Sequence, residues 1–316
     1  MRVAALDLGT NTFILLVCEV ELDGSRAQVT KVLRDEVRLV RLGQEVNRTR
    51  RLHPEALERA RACLVEFQKI ISETGPERVQ AVATSAARDV ENREELLAIG
   101  RAAGIPIAIV PGETEAEFTF SGTVESQASD DADELNMIVD IGGGSTEYIV
   151  GDKRGIISRI SLDIGSVRLT EKFITSHPPS FDERERLNKW IDQELARVQK
   201  MLEQNSESQM SAIAVAGTAT TLATLDQGRA FESEVVNGYK LTMESLAKWT
   251  ARLGEMTVEE RQKLAGMEPK RADVIFAGAT ILFRSALQLK IPDFSVSTRG
   301  LRFGVAKALA RGDDFT

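Results

Sequence analysis

Histidine is almost missing from this 316-residue chain. His53 and His177 are the whole complement, and each precedes a proline in loop-like sequence. A Ser-His or Cys-His nucleophilic mechanism is therefore disfavoured, because its base must be held by hydrogen bonds on both sides of the ring. Cysteine is equally scarce: Cys18 lies in an apolar strand pattern and Cys63 on a predicted helix, with neither CxxC spacing nor a neighbouring histidine, so zinc and redox roles are set aside. No run of apolar residues reaches the roughly 18 to 20 that a membrane span requires. The opening MRVAALDLGTNTFILLVCEV also lacks the basic region and continuous apolar run of a secretory signal. A cytoplasmic protein without membrane association is expected. Cationic residues are outnumbered too, and a net charge of -8 argues against a general nucleic-acid binder. Acid-base chemistry must fall to carboxylates, and the attraction for any polyanion to local arginines, lysines and a metal.

What is present is an ordinary globular composition, 42% hydrophobic and 28% charged, in a chain long enough for two domains. Its most informative stretch is 136–150, NMIVDIGGGSTEYIV, an apolar strand, an acid, a glycine-rich turn and a return strand. Glycines 142, 143 and 144 remove the Cβ atoms that would keep an anion off the main chain, so successive N–H groups can converge on a phosphate. Ser145 and Thr146 add hydroxyl donors. Asp140 and Glu147 flank the turn, and a hairpin brings them together where a hard divalent cation could bridge protein and phosphate oxygens. A purely structural glycine turn is the alternative.

The beginning of the chain repeats this unit: Ala4-Ala5-Leu6-Asp7-Leu8-Gly9 matches Met137-Ile138-Val139-Asp140-Ile141-Gly142. Two similar lobes with two turns closing on a phosphate would leave such a repeat. Between the copies, a helix is predicted over 54–72, a strand over 79–83 and a helix around 92–103. Thr84-Ser85-Ala86-Ala87-Arg88 follows the strand, at the end where α/β sites are built. Arg88 is a candidate phosphate fork, with an ion pair to Asp89 or Glu91 as the alternative. A strand over 106–110 leads into PGETEAEF, where Glu113, Glu115 and Glu117 start a helix. Acids in a first turn commonly serve the helix dipole, although one of them could orient an attacking water. The acidic stretch 125–134 reads as a connection between lobes.

In the second half, 163–173 carries Arg168 and Lys172 on one helix face, and a long amphipathic helix is expected from Asp182 to about Gln204. SAIAVAGTATTLATL at 211–225 is an apolar strand entering Gly217-Thr218 and a helix, which offers free N–H groups and threonine caps. Helices are predicted over 243–253, 258–265 and 271–290, then a strand over 294–297, a basic turn and a closing helix.

Taken together, DLGTNT at 7–12, TSAARDVEN at 84–92, PGETEA at 111–116, DIGGGSTE at 140–147, GSVRLTEKF at 165–173, AGTATTLATL at 216–225 and RADVIFAGATIL at 271–282 resemble the successive motifs of the exopolyphosphatase and guanosine pentaphosphate phosphohydrolase (Ppx/GppA) family, within the actin, Hsp70 and sugar-kinase superfamily. The resemblance implies an α/β protein of two RNase H-like (actin-like ATPase) lobes with an inter-lobe active-site cleft, in the short two-domain form. The lobes are expected at 1–124 and 125–299, with a closing helix at about 300–316 packing back on the first. It further implies a phosphohydrolase that releases terminal phosphate from polyphosphate or the 5′ γ-phosphate of guanosine pentaphosphate, with Mg²⁺, or Mn²⁺ as an alternative. The family's catalytic glutamate falls on Glu115 and its phosphate-binding arginine on Arg88. Its metal-linked acids fall on Asp140 and Glu147, with Asp7 as first-lobe counterpart. Gly9, Asn11 and Thr12 match the first phosphate turn, and Gly142, Gly143, Gly144, Ser145, Thr146, Gly217 and Thr218 the others. Asn237, Thr298 and Phe303 depart from the family's usual residues. A homodimer is kept open as the assembly.

Polyphosphate is the expected substrate, since Arg168, Lys172, Arg271, Arg299 and Arg302 suggest a basic track rather than a guanosine pocket. A sugar kinase or ATP-driven switch on the same superfold, and a non-catalytic binder of polyphosphate or an alarmone, are the competing readings. The glutamates of PGETEA argue against the former, and the intact carboxylate set against the latter.

Overall fold

The computed structural model describes residues 1–24, 26–127, 134–203 and 210–315. It divides into two compact units, Met1–Thr123 with Gly300–Thr316, and Val124–Arg299.

The first unit is built on five strands, β1 (Arg2–Leu8), β2 (Thr12–Asp23), β3 (Arg26–Leu39), β4 (Arg78–Ala83) and β5 (Ile107–Ile109), in the order β3-β2-β1-β4-β5. The first three form an antiparallel meander, and β4 and β5 continue it in parallel with β1. Its helices are α1 (Val46–Thr49), α2 (Pro54–Thr74), α3 (Ser85–Arg88), α4 (Arg93–Ala103) and α5 (Gly112–Gln127). Because successive side chains of a strand point to opposite faces, β1 serves two cores. Ala4, Leu6 and Leu8 join the α2 residues Leu57, Leu64 and Phe67 on one face, and Val3 and Ala5 join Phe303, Val305 and Leu309 on the other.

The second unit repeats this order. It contains β6 (Leu135–Ile141), β7 (Thr146–Asp152), β8 (Gly155–Leu162), β9 (Met210–Val215), β10 (Lys240–Thr242) and β11 (Asp293–Val296), arranged β10-β11-β9-β6-β7-β8. Read from the other edge, β8-β7-β6-β9-β11 has the same antiparallel meander followed by parallel strands, with β10 added. Its helices are α6 (Ser166–Phe173), α7 (Phe181–Leu202), α8 (Ala216–Gln227), α9 (Ser233–Val236), α10 (Met243–Gly254), α11 (Val258–Gln262) and α12 (Ile275–Gln288). α7 starts on a complete capping box: Ser180 accepts from the Glu183 amide, and the Glu183 carboxylate accepts from the Ser180 amide at 2.7 Å.

The last helix, α13 (Leu301–Arg311), belongs to the first unit. It meets α5 backbone to backbone, since a Cβ on Gly304 would lie 1.9 Å from the Phe118 carbonyl oxygen. The Lys307 ammonium, buried, donates to the Ser121 carbonyl at 2.5 Å.

Three expected elements differ. The helix predicted from residue 271 starts at Ile275, because Pro269–Arg271 forms a 3-10 turn opened by Glu268. The helix predicted over 258–265 stops at Gln262. Of the connection expected at 125–134, 125–127 belong to α5, and 128–133 lie outside the described residues.

Candidate active site

In the first unit the informative groups gather at the carboxyl ends of β1, β4 and β5. α3 is a single turn directly after β4, and it places Arg88 beside the start of α5. The Arg88 Nη1 donates to the Glu115 carboxylate at 2.6 Å and to the Val110 carbonyl at 2.9 Å. Arg88 therefore pairs with Glu115, a partner the sequence did not offer, whereas Glu91 faces Arg51 at 3.8 Å. Burial separates the three glutamates of the motif, for Glu113 and Glu117 are exposed whereas the Glu115 side chain is 11% accessible. That burial pushes the Glu115 carboxyl above the ordinary carboxylate range, against the opposing charge and hydrogen bond of Arg88. A raised carboxyl suits a group that must take a proton from water.

The turn between β1 and β2 closes on itself: the Gly9 amide donates to the Thr12 carbonyl at 3.0 Å. The corresponding bond in the second unit, from the Gly142 amide to the Ser145 carbonyl, also measures 3.0 Å. The duplicated sequence thus builds duplicated hairpin closures, and neither of these first glycines offers its amide to an anion. Asn11 is buried, its Oδ1 without a hydrogen-bond partner among the described residues, while its carbonyl accepts from the Val40 and Arg41 amides. Thr12 pairs with Leu39.

The second hairpin differs from the first in its acids. Asp140 on β6 lies directly opposite Glu147 on β7, whereas Asp7 on β1 lies opposite Ile14. Residues opposite one another in an antiparallel pair share a face, and two carboxylates so placed repel unless compensated. Both are buried, and Glu147 accepts from the Ser161 hydroxyl at 2.7 Å, from the next strand in register. Among the described residues no three His, Cys, Asp or Glu side chains are gathered as a metal cage. Two adjacent carboxylates nevertheless fit Mg²⁺, which is commonly held by one or two carboxylates, with phosphate and water completing its shell.

The glycines of this turn direct their carbonyls to α6. Gly142 O accepts from the Ser166 amide at 3.0 Å, and Gly143 O accepts from the Val167 and Arg168 amides at 2.9 and 3.0 Å. Of the two hydroxyls expected to meet phosphate, Thr146 is committed elsewhere: it is fully buried and donates to the Ile164 carbonyl. Ser145 is buried at the turn itself.

At the third loop, Gly217 and Thr218 sit in the first turn of α8 rather than before it. The N-cap is Val215, without a side-chain cap, and Ala216 takes the left-handed conformation at φ 66, a strained choice for a non-glycine residue. The expected threonine cap is absent because Thr218 faces inward, against Gly278 of α12. The space above Gly217 holds the Arg271 guanidinium, which would clash with any Cβ there, and burial lowers its pKa against the opposing charge of Glu268.

The other cations expected to form a track have local partners. Arg302 donates through two nitrogens to Asp35 at 2.9 and 2.8 Å, Arg168 donates to the Gly144 carbonyl at 2.6 Å, and Lys172 lies over the Trp190 ring. Two of the positions that depart from the family pattern touch, the Asn237 Oδ1 accepting from the Thr298 amide at 3.2 Å. The sequence reading missed Ser161, whose signal is only its register opposite Glu147, and the contact of Arg168 with the Gly144 carbonyl.

A duplicated α/β topology, with a glycine hairpin in each half, a carboxylate pair and a raised buried glutamate, defines a phosphoryl-handling protein of the RNase H-like, actin-like ATPase class. The Ppx/GppA phosphatase family model matches residues 22–311. Exopolyphosphatase 2 of Mycobacterium tuberculosis is 36% identical, over 98% of each chain. Among solved structures, an exopolyphosphatase from Cytophaga hutchinsonii superimposes with a TM-score of 0.88 at 28% identity, covering 100% of this chain and 99% of that one. The Aquifex aeolicus Ppx/GppA enzyme gives 0.78 at 32% identity, covering 98% and 99%. The chain belongs to the Ppx/GppA phosphatase family, and is a phosphoanhydride hydrolase. Among the described residues no helix is long and apolar enough to cross a membrane.

Proposed function

We propose that the chain is a cytoplasmic exopolyphosphatase that releases terminal orthophosphate from inorganic polyphosphate, with Glu115 as the base that activates water. The observation that carries this is the buried Glu115 held by Arg88 at 2.6 Å, its carboxyl raised by burial, in a chain of this phosphatase family. In the reaction the water oxygen bonds to the terminal phosphorus, the bridging P–O bond breaks, and the bridging oxygen leaves with the shortened polymer. The water's proton goes to the Glu115 carboxylate. Arg88 orients that carboxylate and offsets charge on the phosphoryl group, in keeping with a reaction that depends mainly on positioning and electrostatics. The amides of the 143–145 turn take phosphate oxygens. Asp140 and Glu147 would hold Mg²⁺, with Mn²⁺ as the alternative, and a bound cation supplies charge neutralisation at those oxygens.

Guanosine pentaphosphate would use the same groups, so the test is comparative. Phosphate release is measured side by side from long polyphosphate, short polyphosphate, guanosine pentaphosphate and ATP, with and without Mg²⁺. Faster release from polyphosphate than from the nucleotides supports the reading; release from guanosine pentaphosphate alone overturns it.

A further inference from the structure

The carbonyls of the three turn glycines, 142–144, are all engaged by a single short helix, while the Ser145 carbonyl closes the hairpin with the Gly142 amide. Gly142 O and Gly143 O are held by the first amides of α6, with the Ser166 hydroxyl adding a second donor to Gly142 O at 3.3 Å. Gly144 O is held by a side chain, the Arg168 Nε at 2.6 Å. In a trans peptide the N–H lies opposite the C=O. The three peptide units therefore turn the amides of Gly143, Gly144 and Ser145 away from α6. None of these amides donates to a protein acceptor among the described residues. Successive amides presented in this way form an anion nest.

The approach of α6 needs Gly165, for a Cβ there would lie 2.4 Å from the Gly143 carbonyl carbon and oxygen. The first two peptides are fixed by main-chain amides that most residues at 166–168 would provide. The third depends on one side chain. The Arg168 side chain is 17% exposed, and its ion-pair partner Asp163 stands off at 3.7 Å and is 86% exposed, so the Gly144 carbonyl is its better-defined contact.

We infer that Arg168 is a positioning residue for phosphate: by holding the Gly144 carbonyl it fixes the Ser145 amide as the third donor of the cradle. The inference rests on the reading of this turn as a phosphate site. Without the Nε donor, the peptide between Gly144 and Ser145 can rotate and direct a carbonyl oxygen at the anion, which repels it. Arg168 then works from behind the cradle, and a cation that the sequence suggests for a polymer track acts through the main chain.

Arg168→Met keeps much of the alkyl stem and removes the donor, and Arg168→Lys restores a charge and one point donor. Orthophosphate binding is measured by calorimetry, with KM and kcat for polyphosphate and the unfolding temperature measured in parallel. In Arg168→Met the orthophosphate Kd and the polyphosphate KM should both rise about tenfold, the scale of one charge-assisted hydrogen bond. The kcat should change less, the unfolding temperature should stay near wild type, and Arg168→Lys should recover part of the binding. An unchanged Kd and KM, or a lowered unfolding temperature with unchanged Kd, overturns the inference. Should Arg168→Met fail to fold, ¹⁵N-glycine labelling of wild type decides: orthophosphate must shift the Gly143 and Gly144 amide resonances, and an absence of shift overturns it. Because these readouts use orthophosphate, a protein inactive on polyphosphate that still shows the Arg168 dependence would refute the substrate reading and leave this one standing.

Discussion

Arg88 and Glu115 meet at 2.6 Å from the ends of two different elements, α3 after β4 and the first turn of α5. The pair joins a cation with an accessible flank, 22% exposed, to a carboxylate that is nearly enclosed, 11% exposed. Enclosure raises the affinity of Glu115 for a proton while Arg88 limits the rise. The arrangement keeps a carboxylate aimed and basic at once, which is what activation of water asks of it.

Glu115→Gln should lower kcat about 10²- to 10⁴-fold without unfolding the protein. Its amide oxygen can still accept from Arg88, and the variant no longer buries an ionised carboxylate. A group whose folded pKa is raised favours folding less as pH rises through that pKa. At neutral pH the unfolding temperature of the variant should therefore match or exceed wild type. Wild-type rates of phosphate release would rule out Glu115 as the base.

The same shift sets the acid side of the pH profile. Activity should fall as pH drops through the folded pKa of Glu115, at a pH above the ordinary carboxylate value, because a protonated Glu115 cannot accept the proton of water. Arg88→Met removes the charge that lowers this pKa, so the acid limb of kcat/KM should move further up, alongside a lower kcat. A limb that stays in place when Arg88 is replaced would assign it to another group.

Asp140 and Glu147 offer a separate test through the metal. Asp140→Asn should raise the Mg²⁺ concentration needed for half-maximal rate by at least tenfold. Ser161→Ala, which frees the Glu147 carboxylate from its hydroxyl donor, should raise it by a smaller factor, in line with the effect of groups that orient metal ligands. Mg²⁺ titrations unchanged in both variants would place the metal elsewhere.

Glu183 is a stability residue. Its carboxylate accepts from the amides of Thr175, Ser176 and Ser180 and from the hydroxyls of Thr175 and Ser176, which hold its carboxyl far below the usual range. Glu183→Gln should cost about 2 kcal/mol or more at neutral pH, the scale of hydrogen bonds to a charged group. A depressed pKa contributes stability that is present above the unfolded value and lost as pH falls toward the folded one. The gap between variant and wild type in chemical denaturation should accordingly shrink below about pH 4; a constant gap would mean that charge is not the cause.

Much of the fold was written locally. Period-2 apolar runs marked the strands, a helical stripe from Ala56 to Ile71 marked α2, and the Asp-Gly hairpin at 7–12 reappeared at 140–145, where the structure builds the same closing hydrogen bond. Such features were legible because backbone preference and burial period depend on near neighbours in the chain. The glycine turn, its flanking acids and the arginine after β4 were visible for the same reason, as was the family likeness that joined them.

What the residues alone left open was decided by contacts between distant segments. Glu113, Glu115 and Glu117 look alike in sequence, and enclosure beside Arg88 sets Glu115 apart. Thr146 reads as a phosphate hydroxyl, but it donates its hydrogen bond to the Ile164 carbonyl. Thr218 reads as a cap, but α12 draws it inward. The direction of the 143–145 amides is fixed by α6 and Arg168, more than twenty residues downstream. The physical reason is common to all four: sequence pattern specifies which groups a segment carries, whereas burial and hydrogen-bond satisfaction, which choose where those groups point, depend on the elements that pack against it.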